Sequence, residues 1–214
     1  MHNCVTRHSL TPGMMKILRE PVYFLGQVQF KVKSGLIRVN GRIIGESEEW
    51  HSAYSPKSTA LLAFKPELED EVEIEFRPLE NGLEAIQTCQ PTFGNIFAPE
   101  PEIIEAFEEL VKGFWLLKKE AEESCGLPLM RISGEWTEVL EDLKTSPKPA
   151  VVFVCGHRKV GKSSFSRFLM NGLLNEGGGE VEFVDLDPGQ TEFTPAGFIA
   201  RKSFNNKGTS EFVY

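Results

Sequence analysis

The chain has 214 residues and a formal net charge of −8, a length that allows one large domain or two small ones with a buried core. The acidic balance excludes a protein that holds nucleic acid by an overall positive field, so a polynucleotide partner would have to meet a local basic site. Four cysteines without a C-x-x-C pair, and no apolar run of signal-peptide or membrane-span length, predict a reduced, soluble cytosolic or nuclear protein without a zinc site or a membrane partner.

The N-terminal half has the pattern of an all-β domain. Residues 1–19 lack periodicity, and we expect them to form a flexible tail. From residue 21 to 33 apolar and polar residues alternate, which is typical of a strand with one buried face. Asn40-Gly41 lies between apolar runs and predicts a tight hairpin, since both central residues must adopt positive φ. With further strands expected near residues 60–64 and 72–76, we predict an antiparallel β-sandwich-like domain over residues 20–98.

After Pro99 the apolar period changes to that of a helix. One broad apolar stripe with helical spacing is formed by Ile103, Ile104, Phe107, Leu110, Val111, Phe114, Trp115 and Leu117. Its aromatic residues could line a cofactor surface, but packing against a sheet is the favoured interpretation. Gly126 and Pro128 would end this helix, and apolar residues from Trp136 to Leu143 predict a second, short one. We therefore predict linking helices over residues 99–146.

A glycine-rich motif dominates the C-terminal segment. Residues 156–163 read GHRKVGKS and match G-x-x-x-x-G-K-[ST] at every fixed position. An apolar run at residues 150–155 precedes the motif, and apolar residues at helical spacing follow Ser163. Strand, glycine loop and helix in this order are typical of a phosphate-binding loop. We predict that residues 147–214 form part of a P-loop nucleotide-binding domain with a parallel α/β sheet.

A second motif follows the next predicted strand. Residues 180–186 read EVEFVDL, and they lead into Asp185-Leu186-Asp187-Pro188-Gly189-Gln190. A strand, helix and strand in about 40 residues predict a βαβ unit with a parallel pair, which brings the carboxyl ends of both strands to one edge of the sheet. We therefore expect Asp185 and Asp187 beside the glycine loop, although a solvated strand end is the alternative interpretation.

The residue types of both motifs suit triphosphate chemistry. Lys162 would place a positive charge on the β and γ phosphates, and Ser163 would offer its hydroxyl to Mg²⁺. A carboxylate pair at a strand end can hold a metal-bound water or accept a proton from an attacking hydroxyl. Two interpretations stay open for His157, Arg158 and Lys159, which lie between the two loop glycines. These side chains are either only exposed or add positive charge near the phosphates.

Together the two motifs resemble the polynucleotide 5′-hydroxyl-kinase family. The resemblance rests on residues 156–163 and on residues 185–197, which read DLDPGQTEFTPAG. It implies ATP-dependent transfer of a phosphate to the 5′-hydroxyl end of RNA, with Mg²⁺ held by Ser163 and Asp187. It assigns Asp185 as the base and Asp187 and Gln190 as residues that organise metal, water or substrate, with Lys162 also catalytic. The implied nucleotide-binding residues are Gly156, His157, Arg158, Lys159, Val160, Gly161, Lys162, Ser163 and Ser164.

The continuation TEFTPAG makes the chain most similar to the nucleolar branch of this family. That resemblance implies a role in ribosomal RNA processing, an endoribonuclease partner, and a location in the nucleus and nucleolus. A sister branch acts in messenger RNA 3′-end formation and tRNA splicing and shares D-x-D-x-G-Q.

The segment after Pro149 differs from the family pattern. A P-loop kinase sheet needs about five strands, and residues 150–214 suggest two or three, so we expect a truncated member with little turnover. The family's arginine lid is also not found in this segment. A noncatalytic nucleotide- or partner-binding fragment is the main alternative. Another P-loop kinase, ATPase or GTPase is a further one, although the nearest string to N-K-x-D, residues 206–209, lacks the aspartate.

Overall fold

The structure, a computed structural model, describes residues 13–18, 20–68, 71–82, 96–147, 149–175 and 180–205. The chain separates into two compact units, with the boundary between Ile132 and Ser133. This boundary lies inside the segment predicted as linking helices. Among the described residues, no helix combines the length and the apolar character that crossing a membrane would need.

The described part of the first unit contains nine strands that are hydrogen-bonded into one sheet. Its strand pairs are antiparallel, so the antiparallel character predicted for this region is confirmed. The strands are β1 (Met14–Leu18), β2 (Val22–Ser34), β3 (Leu36–Val39), β4 (Arg42–Gly45), β5 (His51–Ser55), β6 (Leu62–Pro66), β7 (Glu71–Pro78), β8 (Phe107–Val111) and β9 (Phe114–Leu117).

Strand β2 organises the sheet because it is 13 residues long and pairs with β5, β6, β7 and β9. The main path through the sheet runs β1-β7-β2-β6-β3-β4. Buried side chains from eight of the nine strands meet in one apolar cluster, which includes Phe24, Phe64 and Phe114, and partly buried Leu110 and Val111 of β8 pack against it. The strands therefore curl as one sheet around a main core, rather than forming the two separate sheets of a sandwich.

The hairpin predicted at Asn40-Gly41 is confirmed. Asn40 has φ of 44° and Gly41 has φ of 87°, as a two-residue turn of this type requires. Strand β3 pairs with β4 across this turn, with Val39 opposite Arg42.

The flexible tail predicted for residues 1–19 is wrong for Met14–Leu18, which form β1 at the edge of the sheet beside β7. Met15 and Ile17 are buried in the main core, whereas Lys16 forms an ion pair with Glu71. Two buried side chains are too few for a periodic sequence signal, but the neighbouring strand supplies hydrogen-bond partners for the backbone. Residues 1–12 and 19 lie outside the described part.

The long helix predicted after Pro99 is also wrong. Residues Pro101–Ala106 and Lys119–Ala121 form short 3₁₀ turns, and between them β8 and β9 form a hairpin that turns at Lys112 and Gly113. Strand β9 pairs with β2 and is buried on both faces: Phe114 and Leu116 enter the main core, while Leu117 packs in a second cluster. A strand buried on both faces has a continuous apolar run, which the helical period also fits.

His51 should make the stability of the first unit depend on pH. Burial lowers the pKa of His51 from its ordinary value of 6.5; nearby Glu49 opposes this shift, and Arg42 adds to it. Because the unfolded chain then binds the proton more readily, stability falls as the pH drops below about 6.5, until the folded-state pKa is passed. Urea unfolding at several pH values between about 5 and 8 should show this slope, and His51→Gln should flatten it. An unchanged slope in the variant would contradict the assignment.

The described part of the second unit contains two helices and a two-stranded sheet. Helix α1 (Gly134–Thr145) confirms the short helix predicted around Trp136, and helix α2 (Lys162–Leu174) confirms the helix predicted after the glycine loop. The helices pack through Leu140 of α1 and Phe168 and Leu169 of α2. Strands β10 (Glu180–Asp185) and β11 (Ala200–Asn205) form the sheet.

The parallel βαβ unit predicted for this segment is not formed. Strand β10 is present as expected, but its partner is β11, and the pair is antiparallel. Residues 151–155 lie outside any strand, with Val151 100% and Phe153 75% exposed. An apolar run indicates that a segment favours burial, but its strand partner depends on which neighbour is available in the fold.

Candidate active site

The glycine-rich motif forms a loop that leads directly into helix α2. Gly161 is the residue before the helix and has a left-handed backbone, with φ of 91°, which a side chain would strain. The first helical hydrogen bond runs from the Phe165 amide to the Gly161 carbonyl, at 2.8 Å. The loop therefore ends at Gly161, and helix α2 begins at Lys162.

The N-terminus of α2 is suited to an anion. No side chain caps it, and its first turn contains no acidic residue. By contrast, α1 is capped by the Ser133 hydroxyl, which accepts a hydrogen bond from the Trp136 amide at 3.3 Å. The amides of the first turn of a helix lack internal acceptors and carry the positive end of its dipole, so an uncapped start favours a bound phosphate.

The Lys162 side chain folds back onto the glycine loop. Its Nζ donates a hydrogen bond of 2.8 Å to the carbonyl of His157, which closes the loop on itself. Ser163 is exposed at the first turn of α2, and Ser164 is half-buried beside it. The side chains of His157, Arg158, Lys159 and Val160 are exposed.

Asp185 is the buried carboxylate of the site, with 7% of the residue exposed. Its Oδ1 accepts a hydrogen bond from the Asp187 amide at 3.1 Å, and its Oδ2 accepts one from the Glu192 amide at 2.6 Å. Hydrogen bonds from backbone amides hold the direction of a carboxylate and satisfy it in a partly buried position. Asp185 is therefore an oriented group and not a solvated strand end.

Asp187 is exposed and shapes the turn that follows it. Its Oδ1 accepts hydrogen bonds from the Gly189 amide at 2.9 Å and from the Gln190 amide at 3.2 Å. Gln190 itself is exposed. Side-chain bonds of this kind from an aspartate to the backbone ahead stabilise a turn.

Sequence reasoning missed Arg167 and Glu192. Arg167 lies on α2, and its Nε and Nη2 donate to Oε1 and Oε2 of Glu192 at 2.6 and 2.7 Å. This ion pair joins the helix to the loop that holds Asp185. A basic residue one turn into a helix and an acidic residue 25 positions later carry no local signal of pairing.

Sequence reasoning placed Trp136 on a short helix and did not assign it to the site. A Cβ placed on Gly161 would lie 3.8 Å from Cζ2 of Trp136, so the indole borders the end of the glycine loop. Its ring also packs 5.0 Å from that of Phe165. Trp136 thus lies beside the glycine loop.

The structure places the predicted site residues in two linked groups. Asp185, Asp187 and Gln190 share one hydrogen-bonded turn, whereas Lys162 bonds within its own loop. The link between the groups is helix α2, through Arg167 and Glu192. In the described ranges, no cluster of three or more histidine, cysteine or acidic side chains could enclose a metal ion. The arrangement can bind an anion at the start of α2 and present oriented carboxylates on the neighbouring turn.

Both motifs lie in a region that matches a known protein family. A family model described as mRNA cleavage and polyadenylation factor CLP1 P-loop matches residues 156–211, which include both the glycine loop and the aspartate turn.

Curated relatives match a larger part of the chain. The polynucleotide 5′-hydroxyl-kinase grc3 of Neosartorya fischeri is 28% identical over 196 residues, which cover 82% of this chain and 23% of that protein. The protein of the same name from Gibberella zeae is 28% identical over 188 residues, which cover 82% of this chain and 26% of that protein. The resemblance to polynucleotide 5′-hydroxyl kinases is thereby confirmed. The chain spans about a quarter of the length of these relatives.

A solved structure of the wild-type Clp1p–Pcf11p complex is also similar, with a TM-score of 0.45 and 16% identity. The match covers 92% of this chain and 36% of that chain. A TM-score of this size is too low to establish a common fold.

Proposed function

We propose that this chain contributes the phosphate-binding loop and the acidic turn of an ATP-dependent polynucleotide 5′-hydroxyl kinase. The observation that carries the proposal is the oriented Asp185 carboxylate on a turn that an ion pair joins to α2, the helix whose uncapped start suits a phosphate. The similarity to relatives with this name supports the same activity.

The transfer step assigns a role to each group. The oxygen of the RNA 5′-hydroxyl forms a bond to the γ-phosphorus, the bond from that phosphorus to the β,γ-bridging oxygen breaks, and the hydroxyl proton passes to a carboxylate. Asp185 is the proposed base, since its carboxylate is already oriented by backbone amides. Asp187 and Gln190, which are both exposed on the same turn, would contact metal, water or substrate.

The residues of the loop suit ATP with Mg²⁺. Lys162 carries the charge, and the first-turn amides of α2 add donors for the phosphates. The Ser163 hydroxyl and the Asp187 carboxylate are oxygen donors of the type that Mg²⁺ prefers, and this ion takes its remaining ligands from phosphates and water. Bound Mg²⁺ would neutralise charge on the β and γ phosphates.

The proposed setting is ribosomal RNA processing in the nucleolus, with an endoribonuclease as the partner. Its support is the continuation TEFTPAG at residues 191–197, which resembles the nucleolar branch of the family. On this proposal the substrate is the 5′-hydroxyl end that RNA cleavage leaves.

The proposed activity predicts slow labelling of a 5′-hydroxyl RNA by the purified chain with γ-labelled ATP, since little turnover is expected from the short P-loop segment, and Asp185→Asn should reduce this rate about 10²–10⁴-fold, as expected for loss of a general base. The matched control is Asp142→Asn, which neutralises an exposed aspartate on α1 and should leave the rate unchanged. An RNA that already carries a 5′-phosphate should not be labelled. Equal labelling by wild type and Asp185→Asn would contradict the role of Asp185.

A noncatalytic nucleotide- or partner-binding module is the second candidate. The observation that favours it is the exposed apolar run at residues 151–155, which would be more stable against another protein surface. ATP binding by the chain without any RNA labelling would support this candidate over the kinase.

A further inference from the structure

The ion pair between Arg167 and Glu192 joins two parts of the second unit that are distant in sequence. Arg167 lies on α2, five positions after Lys162, and Glu192 lies on the loop after the aspartate turn. Both nitrogens of the guanidinium fork engage both oxygens of the carboxylate, at 2.6 and 2.7 Å. A two-bond geometry of this kind determines the orientation as well as the distance of its partners.

This pair is partly shielded from solvent. The Arg167 side chain is 23% exposed and the Glu192 side chain is 18% exposed. Exposed ion pairs contribute little because water screens them and the side chains lose entropy. A forked and shielded pair keeps more of its electrostatic attraction, so it can hold the backbone of residue 192 in place.

The backbone amide of Glu192 is one of the two that hold the Asp185 carboxylate, the other being that of Asp187. The Glu192 amide donates the 2.6 Å hydrogen bond to Asp185 Oδ2, so one residue receives Arg167 on its side chain and orients the aspartate with its main chain. The next residue adds a second anchor, because the Phe193 ring packs at 5.3 Å against Phe183 of β10 and at 5.7 Å against Phe204 of β11.

We propose that Arg167 and Glu192 are positioning residues that hold the Asp185 carboxylate in a defined place relative to the helix that begins at the phosphate loop. The inference rests on the proposed kinase function, in which Asp185 accepts the proton of the RNA hydroxyl. Helix α2 then has two roles: its N-terminus forms the phosphate site, and Arg167 on its second turn orients the base Asp185 through Glu192.

Hydrogen exchange at single amides tests the positioning role without requiring turnover. In Arg167→Gln, NMR should show the Glu192 amide exchanging at least about 10-fold faster, because the ion pair no longer holds Glu192, whose amide donates to Asp185, while the Leu169 amide in the core of α2 keeps its rate. Arg167→Lys should give an intermediate rate, since an ammonium keeps the charge but not the fork. An unchanged Glu192 rate, or equal acceleration at Leu169, would overturn the proposal.

The matched control is Arg201→Gln, which removes an exposed arginine that pairs with Glu182 on the two-stranded sheet of the same unit. This variant should leave the exchange rate of the Glu192 amide unchanged, and faster exchange there would show that the loss of any ion pair loosens the unit.

Titration with MgATP distinguishes the positioning proposal from the proposed function. The Kd should agree within about twofold between wild type and Arg167→Gln, and a large loss in the variant would place Arg167 in the nucleotide site and overturn the positioning role. If wild type binds no ATP, the proposed function fails while the exchange result still decides the positioning role.

Discussion

Lys162→Ala is expected to remove most of the affinity of this chain for MgATP. The glycine loop holds the Lys162 side chain through the 2.8 Å hydrogen bond from its Nζ to the His157 carbonyl. Hydrogen bonds to charged groups contribute about 1.5–3 kcal/mol each, which corresponds to roughly a 10- to 150-fold weaker Kd for the loss of one. Calorimetry measures the Kd directly, and tryptophan fluorescence gives an independent signal, since one of the chain's three tryptophans, Trp136, lies beside Gly161.

Lys144→Ala is the matched control for this prediction, because it removes the same charge from α1, where Lys144 pairs with Glu141. Such pairs contribute only about 0.2–0.5 kcal/mol to helix stability, so Lys144→Ala should stay folded and bind MgATP with the Kd of wild type.

Arg158→Ala tests whether the basic loop residues contact phosphate: a weaker Kd for MgATP would show that Arg158 acts on phosphate. Equal Kd values for wild type and Lys162→Ala would contradict the assignment of the loop.

Phe64→Ala is expected to lower the free energy of unfolding of the first unit by about 3–5 kcal/mol. Phe64 is fully buried at the centre of an aromatic cluster, with its ring 4.7 Å from Phe24, 5.0 Å from Phe30 and 5.4 Å from Phe76. Truncation removes contacts with all three rings and leaves a cavity that a sheet curled around a main core cannot easily close. Urea unfolding followed by tryptophan fluorescence or circular dichroism measures the loss.

Leu68→Ala is the control for the core prediction, since Leu68 is 57% exposed and its replacement should change the stability by no more than about 0.5 kcal/mol. A loss below about 1 kcal/mol for Phe64→Ala would mean that the cluster adapts to the cavity, and the description of the main core would need revision.

Local signals in the sequence were sufficient for several elements. The Asn40-Gly41 turn is confirmed because its two residues directly encode positive φ, which no distant contact needs to supply. Helix α2 is confirmed because its apolar spacing and its start after Gly161 lie within one continuous segment. The strand at residues 180–185 was likewise evident from its alternation.

Elements that depend on a distant partner were mispredicted. Strand β9 owes its conformation to hydrogen bonds with β2, about 90 residues earlier, which override an equally good helical period. Strand β1 exists because β7 offers an edge, and β10 pairs with β11 instead of with residues 151–155. In each case long-range backbone pairing determines whether a strand forms and which partner it has, and the period of the side chains alone does not predict that pairing.

For the site, the sequence by itself determined the chemistry: a lysine and glycines for phosphate, and two aspartates followed by a turn. The tertiary structure decided how those groups are held. It buries Asp185 and leaves Asp187 exposed, and it pairs Arg167 with Glu192 across 25 residues. Residue types set which reactions are possible, because charge and hydrogen-bonding capacity are properties of single side chains. Orientation and burial arise only when distant segments pack together.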